Sequence, residues 1–227
     1  MSRIYAGAAN MLNNNFRQID SRGFVGFLRN DSNPNIEELI EGYVESSEPC
    51  IGGVCYNYHV KRLPKAETMA GGLPQRFVNS LQIQATTGGF APFPKPVGLV
   101  YCGSFKNILL GMANCYFITE LINGERCQSR FEESSEEERD TILSCIGAEL
   151  KNLRGANVYL MDFAPRDIIL KGTGHPIFAD TENMEFHNNG NLEEEMKQKQ
   201  ISQSREDYSQ YFTKEESMDR AVKTLFR

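Results

Sequence analysis

The chain has no apolar run approaching the ~18 residues that a membrane-spanning helix needs. Its opening stretch, MSRIYAGAANMLNNNFRQ, also lacks the apolar core of a secretory signal. Together these absences predict a cytoplasmic protein without a transmembrane segment. Cysteine is present but unorganised. Cys50, Cys55, Cys102, Cys115, Cys127 and Cys145 are scattered among apolar residues, with no CxxC pair and no His–Cys cluster. That pattern predicts free thiols in a reducing compartment and argues against a zinc site. Histidine is scarce. His59, His175 and His187 share no ligand spacing and read as surface or turn residues. Positive charge is the minority sign, with 24 Lys and Arg against 30 Asp and Glu. No basic footprint exists, so nucleic acid is not an expected partner.

What is present suits an ordinary core: 40% of the 227 residues are hydrophobic. Residues 1–35, rich in Asn, Ser and Gly, read as a loosely packed lead-in with one apolar patch at Phe24–Leu28. From Ile36 to Leu63 the pattern is short and strand-like, with strands expected at 42–44, 54–56 and 58–63. Residues 74–87 follow a helical period that stops at Gly88-Gly89. Pro92, Pro94 and Pro96 force an extended path, and strands are expected at 97–101 and 115–121. Ser134 and Ser135 precede Glu137 and Glu138 at capping-box spacing, and Ile142, Ile146, Leu150 and Leu153 continue as a helical stripe ending near Gly155. The acidic run 132–140 is thus a solvated helix start that complements the dipole. Apolar runs at 158–161, 168–170 and 176–179 follow, the outer two ending in Asp162 and Asp180. The tail from Asn188 reads as polar and charged until Tyr208, with a closing helix near 215–225. There is no internal repeat.

Two aspartates at the ends of short buried strands, separated by a glycine turn, suggest a chemical role. Buried carboxylates are costly unless they meet cations or donors, and hard oxygen ligands suit magnesium. The segment Leu160-Met161-Asp162-Phe163-Ala164-Pro165-Arg166-Asp167-Ile168-Ile169-Leu170 resembles the catalytic loop of kinases, H-R-D-L-x-x-x-N. Phe178-Ala179-Asp180-Thr181-Glu182 is similar to their magnesium-binding D-F-G region, in the D-x-E form of sugar and antibiotic kinases. Residues 116–124 (YFITELING) resemble the hinge that meets adenine, and 58–63 (YHVKRL) the strand carrying the phosphate-binding lysine. The helix at 77–87 followed by PFPKPVGLV resembles the αC helix and exit of bacterial lipopolysaccharide-core (Kdo/heptose) kinases. The likeness spans about residues 40–185.

This resemblance implies a two-lobed α+β protein-kinase-like fold. Its strand-rich lobe would be residues 36–119 and its reduced, mostly helical lobe residues 120–227. It implies ATP- and Mg2+-dependent phosphoryl transfer to a hydroxyl of a small molecule or glycolipid sugar. Asp162 would orient the acceptor, with Arg166 near the transferring phosphate. Lys61, Glu120, Ile122, Gly52 and Gly53 would hold the nucleotide, and Asp167, Asp180 and Glu182 the metal. The chain departs from the pattern in four places. Leu160 and Met161 replace the usual histidine and arginine. Asp167 replaces asparagine. No G-x-G-x-x-G occurs near Gly52. The αC-like segment offers Gln75, Asn79, Gln82 and Gln84 but no acid. These departures define a second reading, a pseudokinase acting as a binding or regulatory module with a protein partner. A third is an unrelated α+β domain.

Overall fold

The computed structural model describes residues 3–21, 24–33, 36–38, 40, 54–55, 58–64, 73–103, 113–172, 174–187, 193–212 and 214–227. It is a mixed α+β structure with antiparallel sheets. The chain divides into two compact units, one formed by Met1–Gly89 with Pro94–Leu121 and the other by Phe90–Phe93 with Ile122–Arg227. Expected elements at 42–44 and the glycines Gly52 and Gly53 lie outside the described residues.

The first unit is built on an antiparallel six-stranded sheet. In chain order it contains α1 (Arg3–Asn15), β1 (Phe16–Ser21), β2 (Phe24–Arg29), β3 (Val54–Cys55), β4 (Tyr58–Leu63), α2 (Gln75–Thr87), β5 (Pro96–Cys102) and β6 (Asn114–Glu120). The strand order is β1-β2-β5-β6-β4-β3. Period-two alternation sends successive residues to opposite faces. Leu99, Cys115 and Phe117 face a cluster with Phe77 and Leu81 of α2, against which Met11 and Leu12 of α1 also pack. Val100, Ile118 and Val60 face the other cluster, with Ile19, Leu28, Ile36 and Ile40. Both faces are therefore apolar, and strands β5 and β6 are buried from both sides.

The structure differs from the sequence expectation in two places. Residues 1–35 are not a lead-in: α1, β1 and β2 belong to the first unit, and β2 pairs with β5 through Phe27↔Leu99 and Leu28↔Gly98. Asparagine-rich composition lowers the local propensity, but Phe16, Ile19 and Leu28 bury fully enough to override it. Residues 36–38 and 40 are helical rather than strand-like, and Ile36 and Ile40, four apart, reach one cluster from one helical face.

The second unit is mostly helical. It contains β7 (Glu125–Arg126), α3 (Cys127–Glu133), α4 (Glu136–Gly155), β8 (Val158–Leu160), β9 (Ile168–Lys171), β10 (His175–Phe178), β11 (Met184–Phe186), α5 (Glu193–Tyr208) and α6 (Glu215–Leu225). The N-terminus of α4 carries a complete capping box between Ser135 and Glu138. Its buried side includes Ile142, Ile146, Leu150 and Leu153, as the periodicity predicts. Gly147 lies on the same side because a Cβ there would stand 2.7 Å from the Leu225 carbonyl oxygen of α6. Helix α4 ends at Gly155, as the sequence predicts, and the chain then turns at Asn157, with φ 59°. Asparagine tolerates the left-handed region better than most residues.

Helix α5 falls where the sequence reads only as a polar tail. Its buried residues, Met196, Gln200, Ser204 and Tyr208, recur every four positions, but two of them are polar. Hydrophobic periodicity therefore misses it. The side chains are satisfied by backbone instead: Gln200 Nε2 donates to the Leu160 carbonyl at 2.8 Å, and Tyr208 Oη to the Phe163 carbonyl at 3.2 Å.

Candidate functional site

Strand β8 is wholly buried and pairs with β11, Leu160 opposite Met184. The Met161 amide then donates to the Asn183 carbonyl at 2.8 Å, which fixes the backbone immediately before Asp162. Phe163, Ala164 and Pro165 are buried behind it. Asp162 is left at the edge of this packed segment, with its Oδ1 buried and without a hydrogen-bond partner. Its carboxylate opens on a pocket of ≈ 440 Å³ shared with Glu182, Asn183, Glu185 and Gln203.

Pro165 starts a single 3-10 turn at Pro165–Asp167, where its missing N–H costs nothing. The hairpin β9–β10 follows, with Ile168 opposite Phe178 and Lys171 opposite His175. Gly172 and Gly174, both at positive φ, make the reversal. The hairpin brings its two ends together. The Ala179 amide donates to the Asp167 carbonyl at 2.8 Å, so Asp167 and Asp180 become neighbours although they are far apart in sequence. Asp180 is held by its own turn, Oδ1 accepting from the Glu182 amide at 2.9 Å. The end of β10 is braced by residues from much earlier in the chain. The Phe178 amide donates to the Pro92 carbonyl at 2.9 Å, and the Phe93 ring lies 5.8 Å from that of Phe178. Pro92, expected on an extended path, instead lies in a turn closed by the Phe93 amide on the Phe90 carbonyl, and this turn anchors the segment that carries Asp180.

Arg166 is mostly exposed and pairs with its neighbour, Nε to Asp167 Oδ2 at 3.2 Å. Among the described residues, no group of three or more His, Cys, Asp or Glu is disposed as a protein-only metal cage. Magnesium does not demand one, since it commonly takes one or two carboxylates and completes its shell with water and phosphate oxygens. Asp167 and Asp180, acceptor-only carboxylates on backbone segments that the hairpin brings together, fit that manner of binding. Glu182 lies on the pocket of Asp162.

The remaining expected site residues belong to the first unit or to its boundary. Lys61 sits mid-strand in β4, opposite Phe117, and is half-buried. Alternation places it on the side of Leu63, the side lined by Phe77 and Leu81 of α2. His59, two residues earlier, is also a half-buried strand residue and not a turn residue. Burial, and then the Lys61 charge, push its imidazole below the ordinary value. Helix α2 buries Arg76, Asn79, Ser80 and Gln82 and has no acid. Gln75 is engaged with Asn79 at 2.7 Å. Glu120 ends β6, its amide donating to the Lys95 carbonyl at 3.0 Å and its carboxylate 3.6 Å from Lys95 Nζ. Lys95 also meets Asp31 at 3.0 Å, and Arg29 beside Asp31 holds that carboxyl well below the usual range. Ile122 is the first residue of the second unit after the boundary.

One residue beside the site had no signal in the sequence. Asp207 lies near the end of α5, and its Oδ1 accepts from Gln203 Nε2 at 3.0 Å while its Oδ2 is buried without a partner. Burial, and then the charge of Asp162, raise its carboxyl above the ordinary value, against the opposing effects of Gln203 and Arg166. No spacing rule could have linked Asp207 to Asp162, because α5 itself was not legible.

The described cysteines Cys102, Cys115, Cys127 and Cys145 are free thiols. Burial pushes Cys102 up to about 11 and Cys127 up to about 12, so both are poor nucleophiles at neutral pH. No described helix is long and apolar enough to cross a membrane. No family model matches the chain, and no curated protein matches it in sequence.

Proposed function

We propose that the chain is an ATP- and magnesium-dependent phosphotransferase of two-lobed, protein-kinase-like fold, acting on a hydroxyl of a small molecule or glycolipid sugar. In this reading the sheet-based unit is the strand-rich lobe and the second unit a reduced helical lobe. The observation that carries the reading is the β9–β10 hairpin, which sets Asp167 beside Asp180 just after a segment ending in a buried, unpartnered Asp162 oxygen. Phosphoryl transfer asks a protein mainly for positioning and charge stabilisation. Asp167 and Asp180 would hold magnesium, which neutralises charge on the phosphates. Asp162 would accept the proton of the acceptor hydroxyl. Arg166, a planar cation on an exposed stem, would stabilise charge spreading over the transferred group. Lys61 would bind nucleotide phosphates, with Glu120 and Ile122 near the base.

A second reading, a pseudokinase that binds without turnover, is favoured by one observation: α2 buries an arginine and neutral polar residues but no acid to pair with a strand lysine. Thermal-shift titration with ATP separates the readings. Stabilisation that requires magnesium, with ATP consumption, supports the phosphotransferase. Stabilisation without magnesium and without turnover supports the pseudokinase, and no shift refutes both. In an active protein, Asp162→Asn lowers turnover by at least ~10² and leaves nucleotide affinity nearly unchanged, as for a positioned acid–base group. Asp180→Asn instead weakens magnesium-dependent nucleotide binding.

A further inference from the structure

Among the described residues, strand β8 pairs with β11 and with no other strand, so its second edge meets no ladder. The peptide joining Leu160 to Met161 lies at the end of β8. A trans peptide is planar, and its C=O and N–H point in opposite directions. The N–H end is the Met161 amide, which donates to the Asn183 carbonyl just before β11 at 2.8 Å. The C=O end, the Leu160 carbonyl, therefore points away from β11, and there Gln200 Nε2 of α5 donates to it, also at 2.8 Å. One peptide plane is thus held at both edges, by a strand neighbour on one side and a helix side chain on the other. A single residue, Met161, separates that plane from Asp162. Past Asp162, the Phe163 carbonyl accepts from Tyr208 Oη at 3.2 Å.

The Gln200 amide is itself oriented. Arg154, near the end of α4, is buried, and its Nη1 donates to Gln200 Oε1 at 3.5 Å. Arginine only donates and a backbone carbonyl only accepts, so one orientation of the amide serves both contacts: Oε1 toward Arg154 and Nε2 toward Leu160. The Arg154 contact is long for a hydrogen bond, but the guanidinium charge still favours the amide oxygen over its nitrogen. The same guanidinium lies 5.4 Å over the Phe226 ring, and that ring packs 6.4 Å from Phe163. Gln200 is wholly buried. Burying a glutamine costs rotamer freedom and water contacts, for a modest net gain from its hydrogen bonds. What it supplies that an apolar side chain could not is direction.

We infer from this geometry that Gln200 is a positioning residue for Asp162, held in its donating orientation by Arg154, with Tyr208 fixing the chain on the far side. The inference rests on the phosphotransferase reading of Asp162. In that reading the carboxylate stands within hydrogen-bond reach of the acceptor hydroxyl, where a displacement of about 1 Å costs on the order of 10²-fold in rate. Gln200, being wholly buried, touches neither nucleotide nor acceptor. Its loss is therefore expected in kcat and not in the KM for magnesium-ATP.

The test compares Gln200→Leu, Tyr208→Phe and Arg154→Met with Ile146→Val, a trimmed core residue of the same unit outside this relay, all in the full chain. In an active protein, Gln200→Leu lowers kcat by roughly tenfold or more with the KM for magnesium-ATP unchanged, whereas Ile146→Val leaves both nearly unchanged. Arg154→Met lowers kcat in the wild-type background and adds nothing to Gln200→Leu, as expected of a residue that acts through another. Equal losses in Gln200→Leu and Ile146→Val, a loss carried by KM, or an additive Arg154 effect overturns the proposal. Hydrogen exchange supplies an arm that needs no turnover. Gln200→Leu strands the Leu160 carbonyl and should speed exchange of the Met161 amide, the other end of the same peptide, by about tenfold or more beyond any change in α4. Exchange that rises equally in both places, or in neither, overturns it. A wild type without turnover defeats the phosphotransferase reading, and hydrogen exchange then decides by itself whether Gln200 sets the peptide before Asp162. Should Gln200→Leu fail to fold, Tyr208→Phe, which loses only a hydroxyl, carries the kinetic comparison and Arg154→Met the exchange measurement.

Discussion

The two units bury their interiors by different means. In the first, apolar clusters lie on both faces of a sheet, and α2 buries Arg76, Asn79, Ser80 and Gln82 beside them. Phe77 is fully buried, with the rings of Phe16 and Phe117 edge-on at 5.4 and 6.0 Å. In the second, α4 and α6 pack in the ordinary apolar way, but the segment bearing Asp162 is clamped by polar side chains on backbone carbonyls. The difference shows where a fold can be non-directional and where it must be directional. Apolar packing tolerates small displacements, whereas a hydrogen bond fixes a backbone in position and orientation. Hydrogen bonds from Gln200 and Tyr208 do that on either side of Asp162.

The comparison predicts unequal responses to substitution. The largest is Phe77→Ala, which empties the centre of the first unit. It should cost ~3–5 kcal/mol in denaturant unfolding, with loss of hydrogen-exchange protection concentrated in β5 and β6. Protection lost mainly from α4 would break the distinction between the units.

Next is Gln200→Leu, nearly isosteric but unable to donate. It strands the Leu160 carbonyl in a buried place and should cost ~1–3 kcal/mol. Tyr208→Phe removes one hydrogen bond at the Phe163 carbonyl and should cost ~0.5–1.5 kcal/mol. If the polar clamp orients the site, both variants should disturb amide NMR shifts over 160–164 far more than a surface change does. Stability losses with unchanged shifts there would reduce the clamp to ordinary packing.

The smallest expected effect concerns Asp31, held between Arg29 and Lys95 at the surface of the first unit. Its carboxyl is depressed in the folded state, so its contribution is present above the ordinary carboxylate pKa and is lost as pH falls through and below it. Its side chain is 55% exposed, which limits the gain to the ~0.2–1 kcal/mol of a solvated pair. Asp31→Asn should therefore lower the unfolding midpoint slightly at neutral pH, and the gap to wild type should close on acidification. A gap that widens in acid would contradict the assignment.

What the sequence determined by itself is the part written in local periodicity. The helix at 75–87, the capped helix opening at Glu136, the strands 58–63, 96–102 and 114–120, and the hairpin 168–178 follow from apolar spacing, capping residues and glycine turns. These signals are short-range, and each residue's contribution is visible beside its neighbours. Composition misled at residues 16–29, where strands with modest propensity form because β5 supplies the partner and two clusters supply the burial. The tertiary structure alone decided the surroundings of the candidate site. It brought Asp167 to Asp180 across a hairpin, Pro92 and Phe93 to the end of β10, and the polar stripe of α5 to the carbonyls of 160–163. These contacts join distant segments through hydrogen bonds, and a hydrogen bond leaves no periodic mark on the residues that make it. The charge of Asp162 acts on Asp207 for that reason, and no reading of either segment separately could have linked them.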